Sequence, residues 1–380
     1  MKKLFLLLWL LLLPAVHAAG QQLSSPLQYV PLDSVWVMPY YNPQRLARGF
    51  EGDTTQHLRT FTDMECMSRR QFRQALERWN IRLRDSHHRG GGVGDESYGA
   101  LQFDAARATV INGAALFRET ADATFMDAVE AALYNAVEAT LSGYFQPAHT
   151  QAAARLVFAS YSLRYATDED GVYVNLFSNS TVRVNTPRFR MVIDQVTDMP
   201  YMRRVTLRIM QSSASEPLKI RVRLPMWAAG RSLSARYRML NPEQLPTLYV
   251  NGHATEYAVE RGYAVVERKW MRGDEIYWDF NLAPRLVAQD ARSGQAAVQW
   301  GPLIYAMGVD LEAGQRLVVD SIRPDYRASF MRLMGRVCLR PEANRSRCCC
   351  CLMPNRLHGR DTRPCGMPVA EPAAKPADSE

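Results

Sequence analysis

A chain of 380 residues, 47% of them hydrophobic and 22% charged, is long enough for two or three domains and a sizeable core. The formal net charge of +8 comes mostly from arginines spread along the chain and often alternating with apolar residues. That is the pattern of a solvated sheet face. A nucleic-acid groove clusters its basic residues with aromatics, so a nucleic-acid partner is not expected, while attraction to acidic polysaccharides or anionic surfaces stays open.

Residues 1–19 read as a secretory signal. Lys2 and Lys3 form the charged start, Leu4 to Leu13 the apolar core, and Val16, His17 and Ala18 precede the cleavage point. That core is too short to span a bilayer comfortably, and no later stretch offers the ~20 apolar residues a span requires. With no Cys after the cleavage region, a lipoprotein anchor is not expected. The predicted destination is the periplasm or the exterior of a bacterium, with no membrane attachment after cleavage; retention as an uncleaved anchor is the alternative.

Between 20 and 90 the signal is sparse. One short strand is expected at Val35 to Met38, and an amphipathic helix through Met67, Phe72, Leu76 and Trp79. From Ala100 to Tyr165 the pattern turns helical. Phe125, Val129, Leu133, Val137 and Leu141 recur along one helical face, with Asp122 placed to cap its start and Gly143 its end. An Ala-rich run from Ala105 to Phe117 precedes it across a short polar link, which predicts an antiparallel helical hairpin. A third helical run, Ala154 to Leu163, leads directly into the first predicted strand.

From Ala166 to Asp290 apolar and polar residues alternate and turn residues punctuate the runs, the pattern of half-buried antiparallel strands. Val172, Val174 and Leu176 are expected on one face, with Tyr173, Asn175 and Phe177 on the other. Val205, Leu207 and Ile209 repeat the pattern, as do Ile220, Val222 and Leu224, with Arg221 and Arg223 expected on the solvent side. Gly262 opens YAVVERKW, Arg272-Gly273-Asp274 closes it and EIYWDF comes next, which predicts a hairpin with Ile276, Trp278 and Phe280 facing inward. Several short strands of this kind imply a two-layer β-sandwich.

The strings ATDEDGVYVNLF, QVTDMPYMRRVTLRI, PLKIRVRLPMWA, LYVNGHATEY, GYAVVERKWMRGDEIYWDF and QAAVQWGPLIYAM stand in an order and spacing that resemble glycoside hydrolase family 127, the β-L-arabinofuranosidase-like enzymes. The resemblance runs over roughly residues 90 to 335. HHRGGGVGDESYG is similar to the family's glycine-rich loop and AVEAALYNAV to its characteristic helix. It implies a barrel of paired helices carrying the active site, β-sandwiches after it, and hydrolysis of terminal arabinofuranosyl or similar glycan linkages. A closed barrel of twelve helices needs more chain than lies between Gln21 and Tyr165, so a partial (α/α) barrel is expected.

The resemblance also implies a Cys nucleophile on a zinc held by further Cys and a Glu, with another Glu as acid/base. Zinc lowers a thiol's pKa and a protonated carboxyl assists departure of the sugar oxygen, so the scheme is coherent. Here the positions matching the family's Cys-Cys-Pro are about Ala148 and His149, no Cys lies between Cys66 and Cys338, and the acid/base position falls nearest Gln102. No cofactor is therefore expected. Asp104 is the candidate substitute for the acid/base and Glu96 the second choice; as flanking carboxylates they suit glycosidase chemistry, against the plainer reading of caps and solvated charges. His87 and His88 are candidates for contacting a sugar hydroxyl or a metal, and His149 for contacting the sugar or replacing a metal ligand, or else all three are loop histidines without a ligand.

Cys348 to Cys351 are consecutive, and chain neighbours rarely meet disulfide geometry. Residues 344–380 mix Arg, Pro and Cys without periodicity and are expected to be disordered. Gly90 to Gly94 lacks the preceding strand and the Lys of a phosphate loop, and no nucleophile elbow is present. The expected architecture is thus a multidomain α+β protein: signal 1–19, helical region 20–165, antiparallel β-sandwich 166–290, a further β segment 291–343 and tail 344–380. Its partner is an oligo- or polysaccharide, with oligomeric state open. The competing function is a noncatalytic carbohydrate-binding or structural protein of the same fold.

Overall fold

The computed structural model describes residues 22–37, 61–86, 94–95, 100–101, 103–141, 147–200, 203–232, 238–239, 245–280, 282, 285–288, 296–307, 337–339 and 350–354. Four helices precede most of the strands: α1 (Arg69–Ser86), α2 (Phe103–Thr120), α3 (Ala123–Ala132) and α4 (Thr150–Ala159). The expected amphipathic helix is α1, whose Phe72 and Trp79 are buried, the latter edge-on to Phe125 of α3 at 5.3 Å. Asp122 caps α3 as its sequence predicts, its carboxylate accepting from the Thr124 backbone N–H at 2.9 Å; such a cap contributes ~1 kcal/mol. The predicted end at Gly143 lies outside the described residues.

Past Ala132 the helix widens into a π turn, Leu133–Val137, then closes as Glu138–Leu141. The turn carries Asn135, whose amide donates to Ala131 O at 2.8 Å and to Pro302 O at 3.0 Å. One extra residue in the winding thus ties the helix to a turn 167 positions further along the chain.

The first sheet runs in the order Gln28–Tyr29, Tyr165–Thr167, Gly171–Val174, Leu218–Arg223, Tyr263–Arg268, Ala258–Glu260. The second runs His253–Thr255, Leu248–Val250, Glu275–Asp279, Arg204–Ser212, Arg190–Thr197, Ser180–Asn185, Val35–Val37. A third joins Arg238–Met239, Arg285–Ala288, Ala296–Trp300, Leu303–Met307, Cys350–Pro354 and Val337–Leu339. Among the described residues the pairing is antiparallel except where Gly171–Val174 runs parallel to Leu218–Arg223.

One apolar cluster is shared by the first two sheets: Val172, Val174, Ile220 and Val222 meet Ile193, Leu207, Ile276 and Trp278. A polar bridge crosses it. The Tyr165 hydroxyl lies 2.8 Å from Ser180 Oγ and accepts from Gln195 Nε2 at 2.8 Å, and burial pushes its pKa up to about 12. A second cluster joins the helices to the other face of the first sheet, where Phe117 packs on Tyr173 and Tyr263. The first sheet is therefore covered on both sides, by helices and by the second sheet.

That placement corrects three expectations. Arg221 and Arg223 do not face solvent; they are 5% and 0% exposed, because the face opposite the inter-sheet core is covered by helices. YAVVERKW and EIYWDF are not a hairpin: Tyr263–Arg268 belongs to the first sheet and Glu275–Asp279 to the second, so the Arg272-Gly273-Asp274 turn carries the chain between layers. The elements also do not partition along the sequence. The strand expected at Val35 to Met38 is present as Val35–Val37, but it pairs with the second sheet, Gln28–Tyr29 pairs with the first, and Arg285–Ala288 pairs across position 290 with Ala296–Trp300. Edge strands take whatever partner satisfies their backbone groups, regardless of distance along the chain. Within the stretch expected to be disordered, Cys350–Pro354 is a strand paired with Leu303–Met307.

Candidate functional site

Among the described residues, one cluster of buried charge lies where α3 meets the first sheet. Asp127 and Glu130 stand three residues apart on α3, hence on the same helical face. Opposite them, Arg223 ends the strand Leu218–Arg223 with its side chain fully buried. Its guanidinium donates to Asp127 Oδ1 and to Glu130 Oε1, while its Nε donates to Asn175 O at 2.5 Å. The next turn supplies more donors: Met226 N–H to Asp127 Oδ1 at 3.2 Å and the Trp227 indole to Glu130 Oε2 at 2.9 Å. Asn175 in turn accepts from the Tyr263 hydroxyl at 2.8 Å and donates to Leu163 O at 3.0 Å.

Two carboxylates against one guanidinium leave an excess of negative charge in a dry place. Burial pushes the Asp127 carboxyl up to about 6, with Arg223 pulling the other way and Glu130 adding to the rise. Burial by itself would lower the Arg223 guanidinium's pKa, and Glu130 and Asp127 more than offset that, so it is raised and stays charged.

Beside this cluster lies a cavity of about 20 Å³ lined by Asp127, Glu130, Trp227, Arg231 and Gln299, space for about one water molecule. Saccharide-sized ligands occupy pockets of several hundred Å³. The paired carboxylates clamp helix to sheet through Arg223. The sequence held a partial signal for this cluster: two acids in i, i+3 relation on an otherwise apolar helix, if buried, call for a cation or hydrogen-bond donors opposite. Reading RVRLP as a half-solvated strand sent Arg223 to the wrong face.

Of the candidate site residues, Asp104 lies exposed in the first turn of α2. His149 precedes the first residue of α4, half-buried, its ring 5.3 Å from that of Phe103, the neighbour of Asp104. The start of α2 and the start of α4 are thus adjacent. His87, His88 and Glu96 lie outside the described residues.

At the described positions where the family resemblance puts the zinc–thiolate centre, the side chains do not supply its thiolates. Ala148 is an exposed alanine, His149 packs on Phe103, and Cys66 is exposed and unbridged. Among the described residues no group of three or more His, Cys, Asp or Glu is placed to hold a metal ion.

Residues 171–282 match the family model for the middle domain of GH127 β-L-arabinofuranosidase. No curated protein sequence matches the chain. Among solved structures, a GH127 β-arabinofuranosidase, BT3674, superposes with a TM-score of 0.58 at 20% identity, covering 77% of this chain and 55% of that one. A GH127 β-L-arabinofuranosidase from Geobacillus stearothermophilus T6 gives 0.52 at 20% identity, covering 62% and 43%, and a further glycoside hydrolase gives 0.53 at 18%, covering 69% and 51%. The chain thus spans about half the length of the solved structures it matches. The family model and these folds agree: residues 171–282 are similar to the GH127 middle domain, and the fold of the chain resembles that of the GH127 structures.

Proposed function

We propose that this is an exported, glycan-directed protein whose reaction, by its GH127 likeness, is hydrolysis of terminal L-arabinofuranosyl or similar linkages. The match of residues 171–282 to the GH127 middle domain carries the reading. In this reading the two packed sheets are the family's β-sandwich, spanning 166–290 with a β segment to 343, and the helices of 20–165 are a partial (α/α) barrel beside it. Asp104, exposed where α2 and α4 begin, acts as proton donor with Glu96 as the second carboxylate, and His87, His88 and His149 contact sugar hydroxyls. Residues 1–19 direct export to the periplasm or beyond.

A second reading, a noncatalytic carbohydrate-binding protein, is favoured by the closed state of the buried carboxylates: Asp127 and Glu130 are bonded to Arg223, beside room for about one water. Turnover of nitrophenyl β-L-arabinofuranoside, with and without zinc, separates the two. Hydrolysis lost in Asp104→Asn or Glu96→Gln supports the enzyme. Glycan binding without turnover under either condition establishes the alternative.

A further inference from the structure

Two cysteines of the third sheet stand opposite one another. Among the described residues Val337–Leu339 is an edge strand of three residues, paired on one side with Cys350–Pro354. The antiparallel register sets Val337 against Leu352, Cys338 against Cys351 and Leu339 against Cys350. Opposed residues of such a pair share a face of the sheet and lie about 4.5–5.5 Å apart at Cα, and a disulfide spans about 4.4–6.8 Å between Cα atoms. The chain has seven cysteines. Of these, Cys66 is exposed and unbridged, while Cys348, Cys349 and Cys365 lie outside the described residues.

We propose that Cys338 and Cys351 form a disulfide that staples the edge strand of the third sheet to its neighbour. Position chooses the partner. Cys350 and Cys351 are chain neighbours, which rarely meet disulfide geometry, and of the two only Cys351 is opposed by another cysteine. The bond forms by exchange with a small disulfide such as oxidised glutathione. The Cys351 thiolate attacks one of its sulfurs and releases one glutathione thiolate; the Cys338 thiolate then attacks the Cys351 sulfur of the mixed disulfide and releases the second. Two protons leave the cysteine thiols, and the two electrons they give up reduce the glutathione disulfide to two thiols. Closing the 339–350 stretch restricts the unfolded chain and ties down a strand too short to hold well by its own backbone pairing. Two opposed thiols are only half of a closed four-ligand zinc site, so the register favours the disulfide over a metal. Formation of the bond in the cell rests on the export reading above, because oxidising compartments preserve disulfides. The choice of partner is a property of the fold and is read in a defined buffer.

The test is peptide mapping of the full chain after reduction, removal of metal, equilibration in glutathione buffer and blocking with N-ethylmaleimide. Trypsin cuts after Arg336, Arg345, Arg347 and Arg356, so fragment 337–345 is expected joined to fragment 348–356, with two fewer maleimide adducts than the reduced chain takes. Cys338→Ser should lose the joined fragment and Cys351→Ser most of it, whereas Cys350→Ser should keep it. The triple variant Cys348→Ser/Cys349→Ser/Cys350→Ser, whose 348–356 fragment holds a single cysteine, should also keep it. An undiminished joined fragment in Cys351→Ser, a link from Cys338 to Cys365, or no link at all overturns the proposal. So does protection from maleimide that appears only with added zinc and that a chelator removes without reductant. Fractionating cells that make the chain with and without residues 1–19 tests export separately: a chain that stays in the cytoplasm yet forms the link in buffer retains the cysteine pair and sinks the export reading.

Discussion

Replacing Arg223 by methionine isolates the energetic role of the charge cluster. Methionine matches most of the arginine's length and apolar bulk, so packing is largely kept while one cation and its hydrogen bonds are removed. What remains is Asp127 and Glu130, 5% and 2% exposed, facing each other with only the Met226 N–H and the Trp227 indole as donors. Breaking a buried pair by removing one partner costs about 3–5 kcal/mol, and the orphaned Asn175 carbonyl adds about 1 kcal/mol. Against a total stability of roughly 5–15 kcal/mol, the variant is expected near the edge of folding at neutral pH. Urea titration followed by tryptophan fluorescence measures this, because Trp227, Trp270 and Trp278 are buried. The triple variant Arg223→Met/Asp127→Leu/Glu130→Met removes all three charges and should recover about 1–4 kcal/mol relative to the single variant. A single-variant loss below about 1 kcal/mol, or a triple variant no more stable than the single, would refute the account of a mutually dependent charge cluster.

The Asp127 carboxyl also sets a pH dependence. Its folded pKa of about 6 lies above the ordinary carboxylate value, so between about pH 4 and 6 the native state holds a proton that the unfolded chain has released. This contribution to stability is fully present below about pH 4 and is lost as pH rises through 6, amounting to about 3 kcal/mol; Asp127→Asn should flatten that part of the stability profile measured by urea midpoints. Gly171 faces Lys219 across the parallel pair, and an added Cβ would lie 1.9 Å from the Lys219 carbonyl oxygen. Gly171→Ala is therefore expected to cost at least about 2 kcal/mol. Gly252→Ala, at φ +82° with nothing within 4 Å, should cost only the ~1 kcal/mol of a left-handed backbone; equal shifts in urea midpoint for the two would show that the close strand approach is not what requires glycine.

The local pattern of the chain was readable where one periodicity met one buried face. The helical spacing around Phe72 and Trp79, the Asp122 cap, and the alternation of Val205, Leu207 and Ile209 against exposed Arg208 and Met210 all come from residue order. Reading failed where a third layer changed what alternation means. In the stretch 171–177 both faces are buried, Tyr173 and Leu176 on the helix side and Val172, Val174 and Phe177 between the sheets, so alternation cannot distinguish water from a helix on the far side, and past the strand's end at Val174 Leu176 and Phe177 take the faces opposite to those expected. The same gap hid Arg223. A polar residue every second position is written identically whether it meets solvent or a pair of carboxylates delivered by a helix far back in the sequence. The change of sheets at Arg272-Gly273-Asp274 was missed because a tight turn fixes direction but not which sheet receives the next strand. For the proposed site, Asp104 and His149 were named from likeness alone, and their nearness to one another depends on how α2 and α4 dock, which no local pattern encodes.

The clamp between Arg223 and the acids of α3 joins residues 96 and 93 positions apart. During synthesis the ribosome releases α3 long before its counterion exists, so the nascent helix waits with two carboxylates that must stay hydrated until Leu218–Arg223 emerges. The helices therefore cannot settle onto their final packing as an early, separate product, and a chain interrupted before Arg223 should be a substrate for chaperones and proteases rather than a stable fragment.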